Sequence, residues 1–475
     1  MTAFLYERIA DALERSIRQG TLKEGDKLPS VRFSSKQRGV SPSTIFQAYY
    51  LLEAKGLIEA RSKSGYYVKF ESQQPSRPSY LAKQSHQPTL KQIDTAHIVA
   101  EMEELRDSHS ILRLSSAYPP AALLPTAKIQ KAIVEATRTN KESLLPYALP
   151  QGNKALRSII GKQILEWGDY YAPEEMLITT GCMEALNLCL RAVTRAGDII
   201  AVDQLTYFGI VQMVENMDLQ VISIPIHYEN GLDIDFLEKA LSTFPVKACL
   251  SVTNFNNPTG TIIPTEQKKR LVRLLNQYQI PLVEDDIYGD LYFGATRPST
   301  CKQFDKEGWV MYCSSFSKTL APGFRVGYCL PGRFLNAVVQ QKRIQSISTD
   351  SLAQLALLHF LQKGRYGYYL RNLRTAFHKQ ALQYAKAIRV HFPTEVRFVM
   401  PAGGMVLWLS FPLKFDGYQL FKEAKQHDIG ISPGQVFAVE GSFKNYIRLS
   451  FSHPFDDKVE AGLKQLGLLA KKLLH

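Results

Sequence analysis

The sequence predicts two domains: a small N-terminal domain of helices and two strands, and a large α/β domain with a largely parallel sheet. Three observations predict this. The first 70 residues show helical periodicity and then two short apolar runs. A polar segment follows, and the remainder alternates short apolar runs with helical patterns. We place the domains at residues 1–70 and 108–475, with 71–107 as a linker.

Composition excludes several classes of protein. Of the 475 residues, 45% are hydrophobic and 21% are charged, which excludes disorder, collagen and coiled coil as the main architecture. The net charge of +13 suits an anionic partner without proving one. The six cysteines form no C-x-x-C pair, which predicts reduced thiols and no zinc site. No run of eighteen apolar residues occurs, so we expect neither a membrane span nor a signal peptide. We also expect a cytoplasmic protein that binds no metal.

The linker and the first domain differ in composition. Residues 71–92 contain three prolines, four serines and five glutamines, too polar to form a packed core. Residues 1–70 contain 12 Lys and Arg against 7 Asp and Glu, so this small domain carries +5 of the net charge. A solvated surface explains that charge as well as an anionic partner does.

Helix signals divide the first domain into three helices. The first follows an apolar stripe with a four-residue spacing, Leu5, Ile9, Leu13 and Ile17. A second, short helix runs to about Arg38. Ser41 and Pro42 begin the third as N-cap and first helical residue, and Gly56 ends it. The inward positions of the third helix are apolar: Ile45, Ala48, Tyr49 and Leu52.

Two predicted strands, Leu57–Arg61 and Tyr66–Phe70, follow with a basic hairpin tip between them. Three helices and such a hairpin describe a winged helix-turn-helix, whose third helix enters the major groove of DNA. A small helical domain that binds protein is the alternative. We expect phosphate, base-edge or groove contacts from the following side chains: Arg32, Ser41, Ser43, Thr44, Gln47 and Lys63.

The phrases EGDKLPSVR, GVSPSTIFQAY and LEAKGLIEARSKSGYYV resemble the GntR-type DNA-binding domain along its whole length. The resemblance implies DNA contacts from the arginine after the LPS phrase, the start of the third helix and the wing glycine. These roles fall on Arg32, Ser41, Ser43, Thr44 and Gly65. The family commonly has Arg where Pro42 stands here, so one usual contact is missing or comes from Lys63.

The large domain has polar residues where its predicted strands end. The strands are Leu177–Thr180, Ile199–Val202, Gln220–Ile224, Ala248–Val252, Pro281–Glu284, Val310–Cys313 and Arg325–Leu330. Ligands of such sheets bind at the carboxyl ends of strands. Four ends carry candidate groups: a glycine turn into a helix at 180–183, amides at 256–260, a carboxylate and a phenol at 284–288, and hydroxyls with a lysine at 314–318. Each alone is equally typical of ordinary turns and surfaces.

Together and in this order, the four motifs resemble fold type I pyridoxal phosphate enzymes of the aminotransferase type over residues 110–475, which implies a small C-terminal α/β subdomain. The cofactor needs a lysine for covalent attachment, an acidic partner for its ring nitrogen and a phosphate cup. The resemblance gives these roles to Lys318, to Asp285, and to Cys182 and Met183 (backbone), Ser315, Ser317 and Arg325.

The remaining roles implied by the resemblance concern the cofactor ring and the substrate. Asn257 and Tyr288 match the pair that binds the ring hydroxyl oxygen, and Tyr207 matches the aromatic residue that stacks on the ring. Arg448 matches the arginine that binds a substrate carboxylate. Tyr147 matches a residue that reaches the phosphate in the partner subunit.

The chain has a GntR-type domain, a polar linker and an aminotransferase-like domain, in that order. This arrangement is similar to that of the MocR subfamily of transcriptional regulators, and most to that of its YjiR-like members. The resemblance implies a domain-swapped homodimer that binds operator DNA and senses pyridoxal phosphate, an amino compound, or both. A metabolic aminotransferase with an appended DNA-binding domain is the main alternative, and transaminase activity stays open because no catalytic position is lost. An architectural DNA-binding protein, the third class, would not need the cofactor site.

Overall fold

The computed structural model describes residues 5–54, 56–61, 64–69, 90–91, 96–104, 111–363, 366–438 and 442–474. Lys63, an expected DNA contact, lies outside the described residues, as does most of the polar segment 71–92. The boundaries at 70 and 107 therefore stay predictions.

The N-terminal domain, which we call the reader, has the predicted order of elements. They are α1 (Leu5–Arg18), α2 (Val31–Arg38), α3 (Pro42–Ala54), β1 (Ile58–Arg61) and β2 (Gly65–Val68). The hydroxyl of Ser41 accepts a hydrogen bond from the Thr44 amide at 3.2 Å, as expected of an N-cap. The four inward residues predicted on α3 are at most 1% exposed. The antiparallel hairpin β1–β2 begins and ends within two residues of the prediction.

The large domain continues with alternating helices and strands. Up to its longest helix these are β3 (Leu90–Lys91), α4 (Ala96–Glu104), β4 (Leu112–Arg113), α5 (Thr126–Thr139), α6 (Lys154–Ile164), β5 (Leu177–Thr179), α7 (Gly181–Val193), β6 (Ile199–Asp203), α8 (Phe208–Asn216), β7 (Gln220–Ile224), β8 (Ile226–His227), β9 (Gly231–Leu232), α9 (Ile234–Thr243), β10 (Val246–Val252), α10 (Thr265–Tyr278), β11 (Leu282–Asp285), β12 (Val310–Ser315), β13 (Gly327–Leu330), α11 (Leu335–Gln345), α12 (Ser351–Lys363) and α13 (Tyr366–His391).

A smaller α/β subdomain follows α13. Its elements are β14 (Val406–Ser410), α14 (Gly417–Gln426), β15 (Ile429–Gly430), β16 (Ser432–Pro433), β17 (Tyr446–Ser450) and α15 (Asp457–Leu474). Strands β14, β17 and β16 form an antiparallel sheet in that order.

The central sheet has the strand order β3-β7-β6-β10-β11-β12-β13-β5. Pairing is parallel from β7 to β12, whereas β13 is antiparallel to both its neighbours. All seven predicted strands are present, each within two residues at either end. The carboxyl ends of β10, β11 and β12 therefore meet at one edge of the sheet, where the polar motifs lie.

Two described pieces of the segment 71–107 belong to the large domain. Leu90 pairs with Ile222 of β7, which adds β3 to the sheet edge. On α4, Ile98, Val99 and Met102 are buried in the main core. Short apolar groups of this kind are hidden among polar residues in the sequence, so composition alone indicated a linker.

Among the described residues, no helix is both long and apolar enough to cross a membrane. In the same part of the chain, no cluster of His, Cys, Asp and Glu could hold a metal ion.

A buried ion-pair network fixes the end of β11. The carboxylate of Asp286 accepts hydrogen bonds from Arg297, from the Tyr312 hydroxyl at 2.9 Å and from the Asn254 amide at 2.8 Å. Arg297 also donates to Asp290 at 2.7 Å, and its guanidinium lies 3.8 Å above the Trp167 ring. Because Asp286 follows Asp285 directly, this network holds the backbone of the predicted cofactor residue.

We expect Arg297→Met to destabilise the large domain by about 3–5 kcal/mol, because it leaves the fully buried Asp286 carboxylate without its cation. Urea unfolding followed by circular dichroism measures the loss. The double variant Arg297→Met/Asp286→Asn should recover part of it, since the uncompensated charge is then gone. Equal stability of Arg297→Met and the wild type would contradict this role.

Candidate functional site

A close approach of two backbones builds one end of the site. Gly181 begins α7 with φ +78°, and a Cβ there would lie 2.5 Å from the Arg325 guanidinium. A Cβ on Gly327 of β13 would lie 2.5 Å from the Gly181 carbonyl carbon. Glycine at both positions lets β13 and Arg325 reach the N-terminus of α7. This N-terminus offers free backbone amides and a positive dipole end to an anion.

Arg325 joins the two predicted halves of the phosphate cup. Its Nη1 donates to the Ser317 hydroxyl at 3.2 Å and its Nη2 to the Thr180 carbonyl at 3.3 Å. Ser315 is buried behind them, and its hydroxyl accepts from the Ser317 amide at 3.3 Å. Met183 lies in the first turn of α7. The cup residues thus meet as predicted, with a guanidinium and hydroxyls beside a helix N-terminus.

Two residues missed in the sequence hold this cup in place. Glu184 accepts from the Thr180 amide at 2.5 Å, from Lys342 Nζ at 2.6 Å and from the Ser346 hydroxyl at 2.7 Å. Lys342 is fully buried and also donates to Thr349 at 2.8 Å. Because 158 residues separate the ion pair, no local pattern could have indicated it.

Lys318 lies between the cup and the buried acid. Its Nζ donates to the Ala117 carbonyl at 2.8 Å and is 5.7 Å from the centre of the Tyr288 ring. Burial, aided by the charge of Arg448, lowers the pKa of Lys318 to about 8. A much larger fraction of this amine is therefore uncharged at neutral pH than of an ordinary lysine, which favours nucleophilic attachment to a carbonyl compound.

Asp285 is a buried carboxylate with few partners. It is 5% exposed, and its Oδ1 accepts from the Ile287 amide at 3.0 Å and from the Cys182 thiol at 3.5 Å. Burial raises the pKa of Asp285 to about 6. A cationic ring nitrogen would supply the missing charge partner. Cys182 thus contacts the acid through its side chain, whereas the resemblance implied only a backbone role for it.

Arg448 is a buried cation close enough to Lys318 for its charge to lower the pKa of that lysine. It is 1% exposed, and it donates to Asn257 at 3.3 Å, to Ser432 at 2.7 Å and to the Ser115 carbonyl. Burial lowers the pKa of Arg448 to about 10. Its Nε has no partner among the described residues, so a donor is left over for a carboxylate. Ser115 and Ser432 are site residues that the sequence did not indicate.

The aromatic residues surround Arg448 and Lys318. Tyr288 is 4% exposed and hydrogen-bonds Asn257, and burial raises the pKa of its phenol. Tyr207 precedes α8 and lies close enough to influence the pKa of both Tyr288 and Arg448. Tyr147 does not join this group: it is 83% exposed, between the exposed Leu145 and Leu149.

On the reader, the predicted DNA contacts at the start of α3 cluster. The Ser41 hydroxyl lies 2.7 Å from that of Ser43 and 2.8 Å from that of Thr44. Gln47 is half-buried on the next turn, and Arg32 is exposed at the start of α2. The three hydroxyl groups thus lie together at the N-terminus of α3.

Two further cations, Arg61 and Lys27, lie at the β1–β2 hairpin, which we call the wing, and the sequence analysis missed them. Gly65, with φ +110°, starts β2. The ring of Tyr67 lies 4.4 Å from the Arg61 guanidinium and 5.7 Å from Lys27 Nζ. Alternating aromatic and basic residues in a hairpin could have indicated this group.

The reader packs against α13 of the large domain, through a contact that we call the seat. Tyr50 and Leu51 of α3 pack on Leu382 and Ala385 of α13. Lys386 Nζ forms an ion pair with Glu53 at 3.1 Å.

Beside the seat, Tyr6 of α1 contacts His378 of α13, with ring centres 5.6 Å apart. His378 in turn stacks on Phe293 at 4.9 Å. Among the described residues, the side chains of α3 that contact the large domain come from its C-terminal half, Tyr50, Leu51 and Glu53.

Comparisons with known proteins agree with this geometry. The aminotransferase class I and II family matches residues 111–466, and the bacterial regulatory protein gntR family matches residues 5–68. The chain is 34% identical to the uncharacterized HTH-type transcriptional regulator YdcR of Escherichia coli, over 99% of both chains. It is 33% identical to the similarly described YjiR of E. coli, over 97% of this chain and 98% of YjiR.

A solved structure matches the large domain. It is LysN, an α-aminoadipate aminotransferase from Thermus thermophilus, complexed with N-(5'-phosphopyridoxyl)-L-leucine. The TM-score is 0.74 at 29% identity, over 78% of this chain and 95% of LysN. The lysine, the buried acid and the anion cup described above fit a phosphorylated pyridine aldehyde, so the cofactor is pyridoxal phosphate. The chain belongs to the GntR-type transcriptional regulators that carry an aminotransferase class I and II domain, as in the MocR subfamily.

Proposed function

We propose that this regulator senses an amine bearing a carboxylate, together with pyridoxal phosphate, and transmits binding to operator DNA through the seat. The observation that carries the proposal is the unpaired Nε of Arg448, a buried cation that shares one site with Lys318. A carboxylate at Arg448 would keep the amino group of the same molecule within the pocket that contains Lys318. This chemistry selects amino acids and related compounds.

The site residues have distinct proposed tasks. Ser315, Ser317, Arg325 and the amides of 182 and 183 hold the cofactor phosphate, and Asp285 holds its ring nitrogen in the protonated state. When bound, the cofactor supplies an electrophilic carbonyl and an electron-withdrawing ring. Lys318, whose pKa is lowered to about 8, provides the amine that attaches it. Asn257, Tyr207 and Tyr288 orient the ring.

We further propose a domain-swapped homodimer that acts in the cytoplasm. Tyr147, Leu145 and Leu149 form an exposed apolar segment, which a second copy of the chain would cover while Tyr147 reached its phosphate cup. In the single chain, α3 contacts its own α13. In a swapped dimer, α3 of one copy contacts α13 of the other copy. A disulfide between Glu53→Cys and Lys386→Cys would then join two chains into a covalent dimer, instead of cross-linking a single chain.

We expect Lys318→Ala to lose all cofactor attachment that survives borohydride reduction, while keeping phosphate-anchored cofactor. Arg325→Ala should keep the attachment but weaken affinity about tenfold or more, because one charged hydrogen-bond donor to the phosphate is lost. Absorbance titration gives affinity, and peptide mapping of reduced protein locates the attached lysine. Attachment at another lysine would contradict the site.

Binding to duplex DNA should depend steeply on salt. With about five or six phosphates neutralised per site, the slope of log affinity against log salt should be roughly −5. Arg32→Ala should weaken binding to every sequence, since it removes a phosphate contact, whereas Gln47→Ala should mainly relax specificity at one position. Fluorescence anisotropy with upstream and random duplexes measures both. Equal affinity for the two duplexes would argue against a sequence-specific regulator.

Cofactor, alone or with a carboxylate-bearing amine, should change operator affinity about 5- to 150-fold, since a ligand acts only through its differential affinity for two domain arrangements. Arg448→Ala should abolish the response to the amine and leave the response to cofactor. DNA affinity is measured with and without each ligand, beside a transamination assay.

The seat provides the matched control for this coupling. Lys386→Ala removes the ion pair to Glu53 without touching the cofactor site, and should reduce the response to cofactor. Lys379→Ala, an exposed lysine on the same helix, should leave the response unchanged. Rapid turnover of an amino acid with DNA affinity indifferent to the cofactor would instead favour a metabolic aminotransferase with an appended reader.

A further inference from the structure

An exposed aromatic side chain lies among the polar DNA contacts of α3. Phe46 is 45% exposed, whereas Ile45 and Ala48 beside it are fully buried in the reader core. Pro42, at the start of α3, is also exposed. Residues four apart share one face of a helix, so Pro42, Phe46 and Tyr50 form an apolar stripe along the outer face of α3.

In the part of the chain that the structure describes, the large domain covers the C-terminal end of this stripe. Tyr50 packs against Leu382 and Ala385 in the seat, while the ring of Phe46 contacts Tyr50 at 6.5 Å between centres and stays open to solvent. Phe46 therefore contributes neither to the reader core nor, by direct packing, to the seat.

The surroundings of Phe46 indicate what covers it. Ser43, on the turn before, is an exposed hydroxyl, and α2 beside α3 exposes Arg32, Lys36 and Arg38. A partner that fits this surface must be anionic around its edge and present apolar groups at the centre. The major groove of DNA has both features, because phosphates line it and the C5-methyl of thymine projects into it.

We propose that Phe46 contacts thymine methyl groups in the major groove and so makes thymine a determinant of the operator sequence. The inference rests on DNA binding by α3, as in the proposed function, and adds an apolar reading element to its polar contacts. It also accounts for Pro42. The arginine that the family commonly has at this position would bind guanine, whereas Pro42 and Phe46 together present an apolar surface.

The test removes single methyl groups from the DNA. The full chain, loaded with cofactor, selects duplexes from a random pool, and each thymine of a selected site is then replaced by deoxyuridine. We expect wild-type affinity to fall about fourfold at one or two positions per half-site, the factor for one buried methyl group. Phe46→Ala should bind thymine and deoxyuridine duplexes equally, and Phe46→Leu should keep part of the preference.

Phe33→Ala is the matched control. Phe33 is 59% exposed and lies on α2, which crosses the DNA backbone and does not enter the groove, so this variant should keep the methyl preference. Thermal unfolding checks that each variant is folded.

Three results would overturn the inference. The first is sequence-selective wild-type binding that is indifferent to every deoxyuridine replacement, which leaves the proposed function intact. The second is a Phe46→Ala variant whose affinity for thymine and for deoxyuridine sites falls by the same factor, so that the wild-type methyl preference is unchanged. The third, no duplex binding by the wild type, would overturn the proposed function as well.

Discussion

Three successive buried carboxylates at the end of β11 set the chemistry of the large domain. Glu284 accepts hydrogen bonds from the Thr253 hydroxyl and from the amides of Cys301 and Lys302, at 2.7–2.9 Å. Asp286 is paired with Arg297. Asp285, on the other face of the strand, accepts hydrogen bonds from one amide and one thiol among the described residues. Because burying an unpaired carboxylate is costly, the two satisfied acids fix the strand and leave the third for a ligand cation.

The same division between fixed and available groups recurs around the cup and Arg448. Glu184 and Lys342 satisfy each other and tie the turn at Thr180, so that the amides of α7 stay free for an anion. Arg448 is held by Asn257, Ser432 and the Ser115 carbonyl, yet its Nε has no partner in the part of the chain that the structure describes. A rigid shell with a few unused donors is the arrangement that ligand binding requires.

Much of this was predictable because it is local in sequence. Periodicity and cap signals located the reader helices, and four of the seven predicted strands end beside the polar motifs that form the site. Pairs such as Glu184 with Lys342, or Glu53 with Lys386, are set by how distant segments pack, which no local pattern reveals. The burial of α4 was not predicted, because its apolar stripe is short and follows a polar segment.

The reader and the large domain divide one helix between them. The N-terminal half of α3 presents Ser43, Phe46 and Gln47, while its C-terminal half fills the seat on α13. Any movement of α13 along the seat would therefore reorient the groups that we propose as DNA contacts. Next to the seat, burial lowers the pKa of His378 to about 4, so its ring is uncharged at neutral pH. The ring stacks on Phe293, and its Nδ1 is hydrogen-bonded to the Tyr6 hydroxyl of the reader at 3.4 Å. This contact comprises the Glu53–Lys386 ion pair, the Tyr6–His378 hydrogen bond and a few apolar side chains, so a ligand shifts the reader only by its differential affinity for arrangements with and without these contacts.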